Sequence, residues 1–194
     1  MNTPAQVASA ILIREATALD AQALAMVHVS SWRAAYRGII DDADLDALSV
    51  DRRRETNLAW FRNHSPSTFV RVAVDAQAKV IGYAMAGPAR IGAPTTLGEI
   101  YVFYLLPDAQ RQGVGSQMIR SMARGLDLRG MDALEVWALE RNPARAFYER
   151  MGGRVADTRD TRVGRRQLRE VAYRWDGLGA LTRTTPPLSR PRPR

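Results

Sequence analysis

The chain has 194 residues, 46% of them hydrophobic and 25% charged, a composition typical of one globular domain with a sizeable core. It has no cysteine and two histidines, His28 and His64, which excludes disulfides and cysteine-ligated zinc and leaves little material for a histidine metal site or a Ser-His-Asp triad. Because no apolar run reaches about 18 residues and the N-terminus lacks a basic region followed by an apolar stretch, we expect no membrane span, no secretory signal and a cytoplasmic location.

The net charge of +8 is carried almost wholly by arginine, since Lys79 is the one lysine. Four arginines and no acidic residue lie in residues 177–194, which are also rich in proline. The remaining, modest positive charge of the body suits an anionic cofactor and does not by itself indicate nucleic acid. We therefore expect a loose N-terminus over residues 1–10, one domain over 11–176, and a disordered Arg/Pro-rich tail over 177–194.

The N-terminal elements are a predicted strand over 11–15 and a helix over 18–36, which begins at a capping box formed by Thr17 and Asp20. Apolar and aromatic residues recur at every fourth position of this helix and share one face, namely Leu24, His28, Trp32 and Tyr36. Two interpretations stay open: the face belongs to the core, or Trp32 and Tyr36 line a pocket.

The next elements are two predicted helices, over 41–47 and 50–64, with Ser49 as the cap of the second. Two predicted strands follow, over 68–74 and 80–86, joined by a short polar loop. Gly82 within the second strand indicates a bulge or a close approach of the backbone. Residues 87–96, with two prolines and two glycines, form a predicted loop.

The most informative stretch is residues 99–122, in which an apolar strand is followed by a glycine loop and a helix. Residues 99–106 are rich in Ile, Val, Tyr, Phe and Leu, and Pro107 should end the strand. The loop has glycine at positions 113 and 115, and the helix continues from residue 116. Free backbone amides and the helix dipole at such a junction attract a phosphate.

Two other phosphate-binding motifs fit this loop poorly. A dinucleotide fingerprint would have glycine or alanine where Met118 stands, and an acidic residue at the end of the next strand, which is missing. A P-loop is excluded because no Gly-Lys-Ser/Thr follows.

The C-terminal part of the domain contains a predicted strand over 133–139, a helix over 142–153 and two strands over 154–160 and 167–176. Asn142 is the predicted cap of the helix, with proline at its first position and glycine after its end. The predicted order of elements is β-α-α-β-β-β-α-β-α-β-β.

Two motifs in this order resemble those of the GCN5-related N-acetyltransferases (GNAT family), small bacterial type. The first is Gln110-x-x-Gly113-x-Gly115, and the second is Asn142-x-x-Arg145-x-Phe147-Tyr148 with a glycine four residues later. The resemblance covers residues 11–176 and implies an α/β (α+β) acyl-CoA N-acyltransferase fold, a mixed twisted sheet of six to seven strands flanked by four to five helices. One departure is Gly153, where the family usually has phenylalanine.

The resemblance implies acetyl-CoA as co-substrate and a set of residues that hold it. Backbone groups of the central strand would meet the thioester, the glycine loop and the following helix would hold the pyrophosphate, and Asn142 would bind the pantetheine arm. The predicted cofactor-binding residues are Leu105, Leu106, Gln110, Arg111, Gln112, Gly113, Val114, Gly115, Ser116, Asn142 and Arg145. Trp32 and Tyr36 are the predicted acceptor-binding residues, and no metal is expected.

The implied reaction is direct attack of an amine on the CoA thioester, with Tyr148 as the acid that protonates the leaving thiolate. An alkylammonium has a pKa of about 10 and must lose a proton before it attacks. Glu99 at the start of the central strand or a water molecule is the predicted base. The acceptor is a small-molecule or peptide amine of unknown identity, no nucleic acid is expected, and a homodimer stays open. The alternative is a non-catalytic module of the same shape that senses CoA or binds a partner through its tail.

Overall fold

The computed structural model describes residues 11–90 and 94–182. The seven strands of this part are β1 (Leu12–Glu15), β2 (Phe69–Val74), β3 (Val80–Pro88), β4 (Leu97–Leu105), β5 (Ala133–Leu139), β6 (Arg154–Val163) and β7 (Arg166–Trp175). Its helices are α1 (Ala21–Tyr36), α2 (Asp42–Asp46), α3 (Val50–Asn63), α4 (Val114–Asp127), α5 (Arg145–Arg150) and α6 (Gly179–Thr182). The predicted α/β class is confirmed, but three helices follow β1 where the predicted order has two, and α6 follows β7 where that order has none.

The strands form one mixed sheet in the order β1-β2-β3-β4-β5-β7-β6. Neighbouring strands are antiparallel except β4 and β5, which are parallel and are joined through α4 as the crossover. The sheet therefore has one place, in its middle, where two strands run in the same direction and end at the same edge.

The apolar face of α4 packs on one side of the sheet. Met118, Ile119, Met122 and Leu126 are fully buried there and belong to one cluster with buried residues of β4, β5 and β7 such as Ile100, Leu134 and Tyr173. The three- and four-residue spacing of these helix positions is what a core-facing stripe requires. This packing fixes the start of α4, and the glycine loop before it, beside the ends of β4 and β5.

The opposite side of the sheet is covered by α1 and α3 over the first strands, where Leu24 and Val27 pack against Val70 and Val72. A further cluster joins the end of α1 to the second half of the sheet and contains Tyr36, Ile39, Ile40, Leu45 and Leu139. The end of α1 consequently lies over the end of β5.

Several predicted boundaries differ from the observed ones, two of them with a clear physical cause. The predicted helix over 142–153 begins only at Arg145, because Asn142 accepts a hydrogen bond of 2.8 Å from the Ala144 amide and so closes a turn before the helix. The domain also continues past residue 176: Leu178 and Leu181, in and before α6, are buried in the α4 cluster, so only residues 183–194 of the predicted tail, with residues 1–10, lie outside the described residues.

Packing explains why residue 153 is a glycine. A Cβ at this position would lie 2.7 Å from Cζ2 of Trp175 and 3.0 Å from the Tyr148 carbonyl oxygen. The indole of Trp175 is held there by a hydrogen bond of 2.9 Å to the Met151 carbonyl. A side chain from β7 therefore fills the corner behind α5, which leaves space at residue 153 for glycine alone.

Candidate active site

The candidate site is a gap between β4 and β5. The two strands are paired only over Leu97–Ile100 and 133–136, and they separate beyond those residues. A bulge at Tyr101, where the β3–β4 register shifts by one residue, bends β4 at the point where the separation begins. We call the space beyond it the β4–β5 gap.

The β4–β5 gap is a cavity of about 110 Å³ that opens into a cleft of about 670 Å³ running along the start of α4 and α5. Residues of both β4 and β5, of α1 and of the turn before α5 line the narrow part. Its lining includes Ser31, Tyr36, Tyr104, Leu105, Trp137, Asn142 and Tyr148. The wide part is lined by the glycine loop, including Gln110, Arg111, Gly113, Gly115 and Ser116.

Leu105 is the last residue of β4, and its backbone faces the gap. The next amide, that of Leu106, donates 2.9 Å to the Ile81 carbonyl on the other side. Since backbone groups alternate between the two edges of a strand, the amide and carbonyl of Leu105 point towards β5. The carbonyl accepts hydrogen bonds from the side chains of Ser31 (3.1 Å) and Gln110 (3.3 Å). The Leu106 carbonyl binds the Ala109 amide, so the predicted backbone role falls to Leu105 and not to Leu106.

The glycine loop places the start of α4 at the wide end of the cleft. Gly113 has φ of +80°, a left-handed conformation that favours glycine, and its carbonyl accepts the first helical hydrogen bond, from the Gln117 amide. The amides of Val114, Gly115 and Ser116 consequently have no partner within the helix. Free amides of this kind, together with the positive end of the helix dipole, are able to bind an anion.

The residues of the glycine loop have different structural roles. The side chain of Val114 is fully buried and anchors the helix start, whereas Arg111 is exposed with a φ of +59° and lines the cleft. Gly115 lies against Phe147, whose Cε2 would be 3.2 Å from a Cβ at this position. Gln112 is exposed and its side chain donates to the Asp108 carbonyl, which braces the loop from outside the cleft.

Asn142 connects the two sides of the gap. Its side-chain amide donates 3.1 Å to the hydroxyl of Tyr36, while its side-chain oxygen closes the turn before α5. Arg145 is directed elsewhere: its guanidinium donates to the Tyr173 hydroxyl (2.8 Å) and the Glu140 carbonyl (2.8 Å) and does not line the cleft. The structure thus brings Asn142, but not the side chain of Arg145, to the predicted cofactor site.

Tyr148 lies at the junction of the narrow and wide parts of the cavity and is 4% exposed. Its ring packs against Phe147 (5.4 Å between centroids), Phe103 (6.3 Å) and Tyr173 (5.6 Å). No described residue forms a hydrogen bond with its hydroxyl. Burial raises the pKa of Tyr148, with Tyr104 adding to the effect, so the phenol keeps its proton well above neutral pH.

Glu99 is buried, 2% exposed, two residues before the bulge in β4. Both of its oxygens accept hydrogen bonds from Arg90, one of them from the Arg90 amide at 3.1 Å and from its Nε at 3.1 Å. The lining of the gap begins at Ile100, the next residue along β4. The predicted base is therefore next to the gap and bound to an arginine.

The aromatic face of α1 contributes to the core at one residue and to the lining of the gap at another, so each of the two interpretations left open holds for part of it. His28 belongs to the core: it is 4% exposed, its Nδ1 is 2.9 Å from the Tyr83 hydroxyl, and burial lowers its pKa to about 3, helped by the charge of Arg53. Trp32 stacks on His28 and donates 2.7 Å to the Tyr104 hydroxyl. Tyr36 lines the gap, and burial, with smaller contributions from Tyr104 and Tyr148, raises its pKa.

The sequence interpretation missed a polar row on β5 and its neighbours. Trp137 lines the gap, and its indole donates 2.6 Å to Glu135, which is 5% exposed and bound to Arg174. The guanidinium of Arg159 lies 4.0 Å above the Trp137 ring and 2.8 Å from Glu170. A glutamate and a tryptophan two positions apart in an otherwise apolar strand were the available signal, because alternate residues share a face.

Two further features are absent from the described residues. No group of three or more His, Asp or Glu side chains there could hold a metal ion. None of the helices in that part is long and apolar enough to cross a membrane.

Comparison with known proteins agrees with this site. The model of the FR47-like protein family matches residues 89–163, the segment that contains β4, the glycine loop, β5 and α5. The chain is 36% identical over 172 residues to the uncharacterized N-acetyltransferase YuaI of Bacillus subtilis, and the match covers 88% of this chain and 96% of YuaI.

Solved structures share the fold at low identity. The PaiA N-acetyltransferase of Thermoplasma acidophilum, solved in complex with coenzyme A, has a TM-score of 0.67 at 19% identity and covers 83% of this chain and 98% of its own. An N-acetyltransferase of Staphylococcus aureus has a TM-score of 0.63 at 20% identity, with coverage of 88% and 99%.

A sheet with a single parallel pair that opens beside a glycine loop and a helix start defines an acyltransferase of the acyl-CoA type. The chain belongs to the GCN5-related N-acetyltransferase family of acetyl-CoA-dependent enzymes, as the match to YuaI along nearly its whole length shows.

Proposed function

We propose that this protein transfers the acetyl group of acetyl-CoA to a primary amine by direct attack within the β4–β5 gap. The observation that carries the proposal is that Leu105 and Tyr148 line both the narrow and the wide cavity, and that the glycine loop at the start of α4 lines the wide one. Those three features supply an anion site, a carbonyl-polarising donor and a proton donor, which a thioester acyl transfer needs.

The cofactor would lie along the wide cleft with its pyrophosphate at the start of α4. The amides of Val114, Gly115 and Ser116 would bind the phosphate oxygens, and Arg111 would add positive charge from the rim. The pantetheine arm would then pass Gln110 and Asn142 to reach the gap between the strands. The thioester would then lie where Leu105 and Tyr148 both line the cavity.

The thioester carbonyl would be polarised by the Leu105 amide, which faces the gap without a partner on β3. As the amine nitrogen forms its bond to the carbonyl carbon, negative charge develops on the carbonyl oxygen. A fixed backbone donor in a gap shielded from water stabilises that charge more than it stabilises the ground state.

Breakdown of the tetrahedral intermediate breaks the carbon–sulfur bond and leaves a thiolate on CoA. Tyr148 would give its proton to that sulfur, because its raised pKa keeps the phenol protonated and its hydroxyl has no partner among the described residues. The proton that the ammonium loses before attack would pass through water to Glu99 and on to solvent. The second proton that the nitrogen loses as the amide forms would restore Tyr148.

The experiment that tests the proposal is isothermal titration of the full chain with acetyl-CoA, followed by detection of free CoA thiol in the presence of primary amines. We expect saturable binding at micromolar concentration and amine-dependent CoA release. A matched control is Gly115→Phe, which places a large side chain against Phe147 at the mouth of the cleft and should abolish binding. Absence of binding at millimolar acetyl-CoA would overturn the proposal.

A further inference from the structure

Three glutamates lie on the face of the sheet opposite α4, next to the gap. The register pairs Glu99 with Glu135 across β4 and β5, and Leu139 with Glu170 across β5 and β7. Directly paired residues share a face, and so do alternate residues of one strand. Glu99, Glu135 and Glu170 therefore lie on one face together with Trp137, and Leu139 of the same face packs against Tyr36 of α1.

Glu99 and Glu135 are both saturated by neighbours. Arg90 binds both oxygens of Glu99, and Glu135 receives the Trp137 indole on Oε1 and the Arg174 guanidinium on Oε2. Their side chains are 3% and 7% exposed. A substrate ammonium could bind either carboxylate only by displacing an arginine or the indole.

Glu170 differs in both respects. Its side chain is 19% exposed, and Arg159 binds only its Oε2, at 2.9 Å from Nε and 2.8 Å from Nη2. Within residues 11–90 and 94–182, no group donates a hydrogen bond to its Oε1. Of the three carboxylates, Glu170 is thus the one with an oxygen available to an incoming ligand.

Glu170 is also close to the gap lining. The guanidinium of Arg159 binds Glu170 and lies 4.0 Å above the ring of Trp137, which lines the gap. One guanidinium group therefore contacts both the Glu170 carboxylate and that ring. Burial raises the pKa of Tyr36, and it raises the pKa of Tyr104 to about 12. The negative charge of Glu170 adds to both shifts. Both tyrosines line the gap on the α1 side.

We propose that Glu170 binds the acceptor amine as an ammonium ion through its free Oε1, and that the acceptor is a cationic alkylamine without a neighbouring carboxylate. The Trp137 ring would pack against the carbon chain of the acceptor, since its indole is held at its edge by Glu135. Arg159 occupies the other oxygen and so competes with the acceptor for the charge of Glu170. The inference rests on the proposed acetyl transfer and names the substrate class of the same site.

The choice of an alkylamine follows from the balance of charge. The three arginines bound to these glutamates, Arg90, Arg159 and Arg174, are each paired with one of them. A carboxylate next to the amine would lie beside the partly exposed, negatively charged Glu170 and would be repelled by it.

The test compares three four-carbon amines as acceptors: n-butylamine, putrescine and γ-aminobutyrate. With the wild-type chain we expect kcat/KM for butylamine and putrescine to exceed that for γ-aminobutyrate by at least about tenfold. Glu170→Gln should raise KM for butylamine by at least about tenfold, because a hydrogen bond between two charged groups is lost, and should leave acetyl-CoA affinity unchanged. Glu140→Gln, an exposed glutamate just past β5, is the matched control and should change neither.

A second variant distinguishes binding from a structural role. Arg159→Ala removes the cation that shares Glu170, so KM for butylamine should fall, whereas a purely structural contact would make both variants worse. Equal KM values in Glu170→Gln and wild type, a preference for γ-aminobutyrate, or acetyl-CoA binding without turnover of any of the three amines would each overturn the inference. Absence of acetyl-CoA binding would overturn the proposed acetyl transfer as well.

Discussion

The side-chain amide of Asn142 donates a hydrogen bond of 3.1 Å to the hydroxyl of Tyr36, 106 positions away along the chain. This contact joins α1 to the turn before α5 across the mouth of the gap. It links a residue predicted to bind the acceptor with one predicted to bind the cofactor, so the two halves of the site share a structural element.

We expect Tyr36→Phe to lower the free energy of unfolding by about 1 kcal/mol, because the Asn142 amide loses its partner in a largely buried place. Urea denaturation of Tyr36→Phe, Asn142→Ala and the double variant measures the coupling between the two residues. The coupling should be about 0.5–1.5 kcal/mol. Strict additivity of the two single effects would show that this bond contributes nothing.

Tyr148→Phe removes the proposed acid while it keeps the ring that packs on Phe147 and Phe103. We expect kcat to fall by at least about tenfold and acetyl-CoA affinity to stay the same. Burial raises the pKa of Tyr148, so deprotonation of this phenol should not reduce the wild-type rate up to about pH 10. Steady-state kinetics and titration calorimetry check both parts.

The matched control for this variant is Tyr173→Phe, whose hydroxyl binds Arg145 and Glu149 in the same stack of rings. It should alter stability more than kcat. A Tyr148→Phe enzyme as fast as wild type would remove Tyr148 from the chemistry.

Glu99→Gln tests the proposed base, and Glu135→Gln is its natural control, since the two residues are paired in register, both buried and both bound to arginine. If Glu99 takes the proton of the acceptor, its variant alone should lower kcat/KM by at least about tenfold. The measurement is the initial rate at saturating acetyl-CoA for both variants. A Glu99→Gln enzyme as fast as Glu135→Gln would assign proton removal to water.

Gly153→Ala should destabilise the fold by about 1–3 kcal/mol, because its Cβ would meet the Trp175 ring at 2.7 Å and the Tyr148 carbonyl at 3.0 Å. Gly177→Ala, where no atom lies within 4 Å of the added Cβ, is the comparison and should be near neutral. Urea denaturation gives both values. Similar stability of the two variants would mean that the corner behind α5 adjusts freely.

The pH dependence of stability should contain a contribution from His28. Its folded pKa of about 3 lies below the unfolded value of about 6.5, so below pH 6.5 the unfolded chain binds a proton that the folded chain does not. The stabilisation is complete above pH 6.5 and is lost as the pH falls, by up to about 1.4 kcal/mol per pH unit. Denaturation between pH 6.5 and pH 5 should show this slope.

His64, the other histidine, is exposed and stacks on Trp60, which makes His64→Gln the matched control. The slope between pH 6.5 and pH 5 should remain in that variant and should be reduced in His28→Gln. A slope of equal size in wild type and His28→Gln would contradict the buried, neutral state of His28.

Local sequence was sufficient for most of the fold and for the cofactor side of the site. The strand 133–139 has the predicted bounds, Ser49 caps α3 by accepting a hydrogen bond of 3.3 Å from the Arg52 amide, and Gly113 and Gly152 adopt positive φ where a loop and a helix end require it. Such signals depend on neighbours along the chain. The start of α5 was misplaced because an asparagine side chain can close a turn before a helix as readily as it can cap one.

The sequence by itself determined the strand, glycine loop and helix of the proposed cofactor site, because spacing along one segment fixes where those backbone amides point. Only the tertiary structure decided which residues form the proposed acceptor side. The bulge at Tyr101 and the pairing of β5 with β7 set which carboxylates share a face with Trp137, and burial with Arg90 and Arg174 leaves Glu170 with the free oxygen. A one-residue change in register would turn those side chains to the other face, and strand register depends on contacts between distant segments.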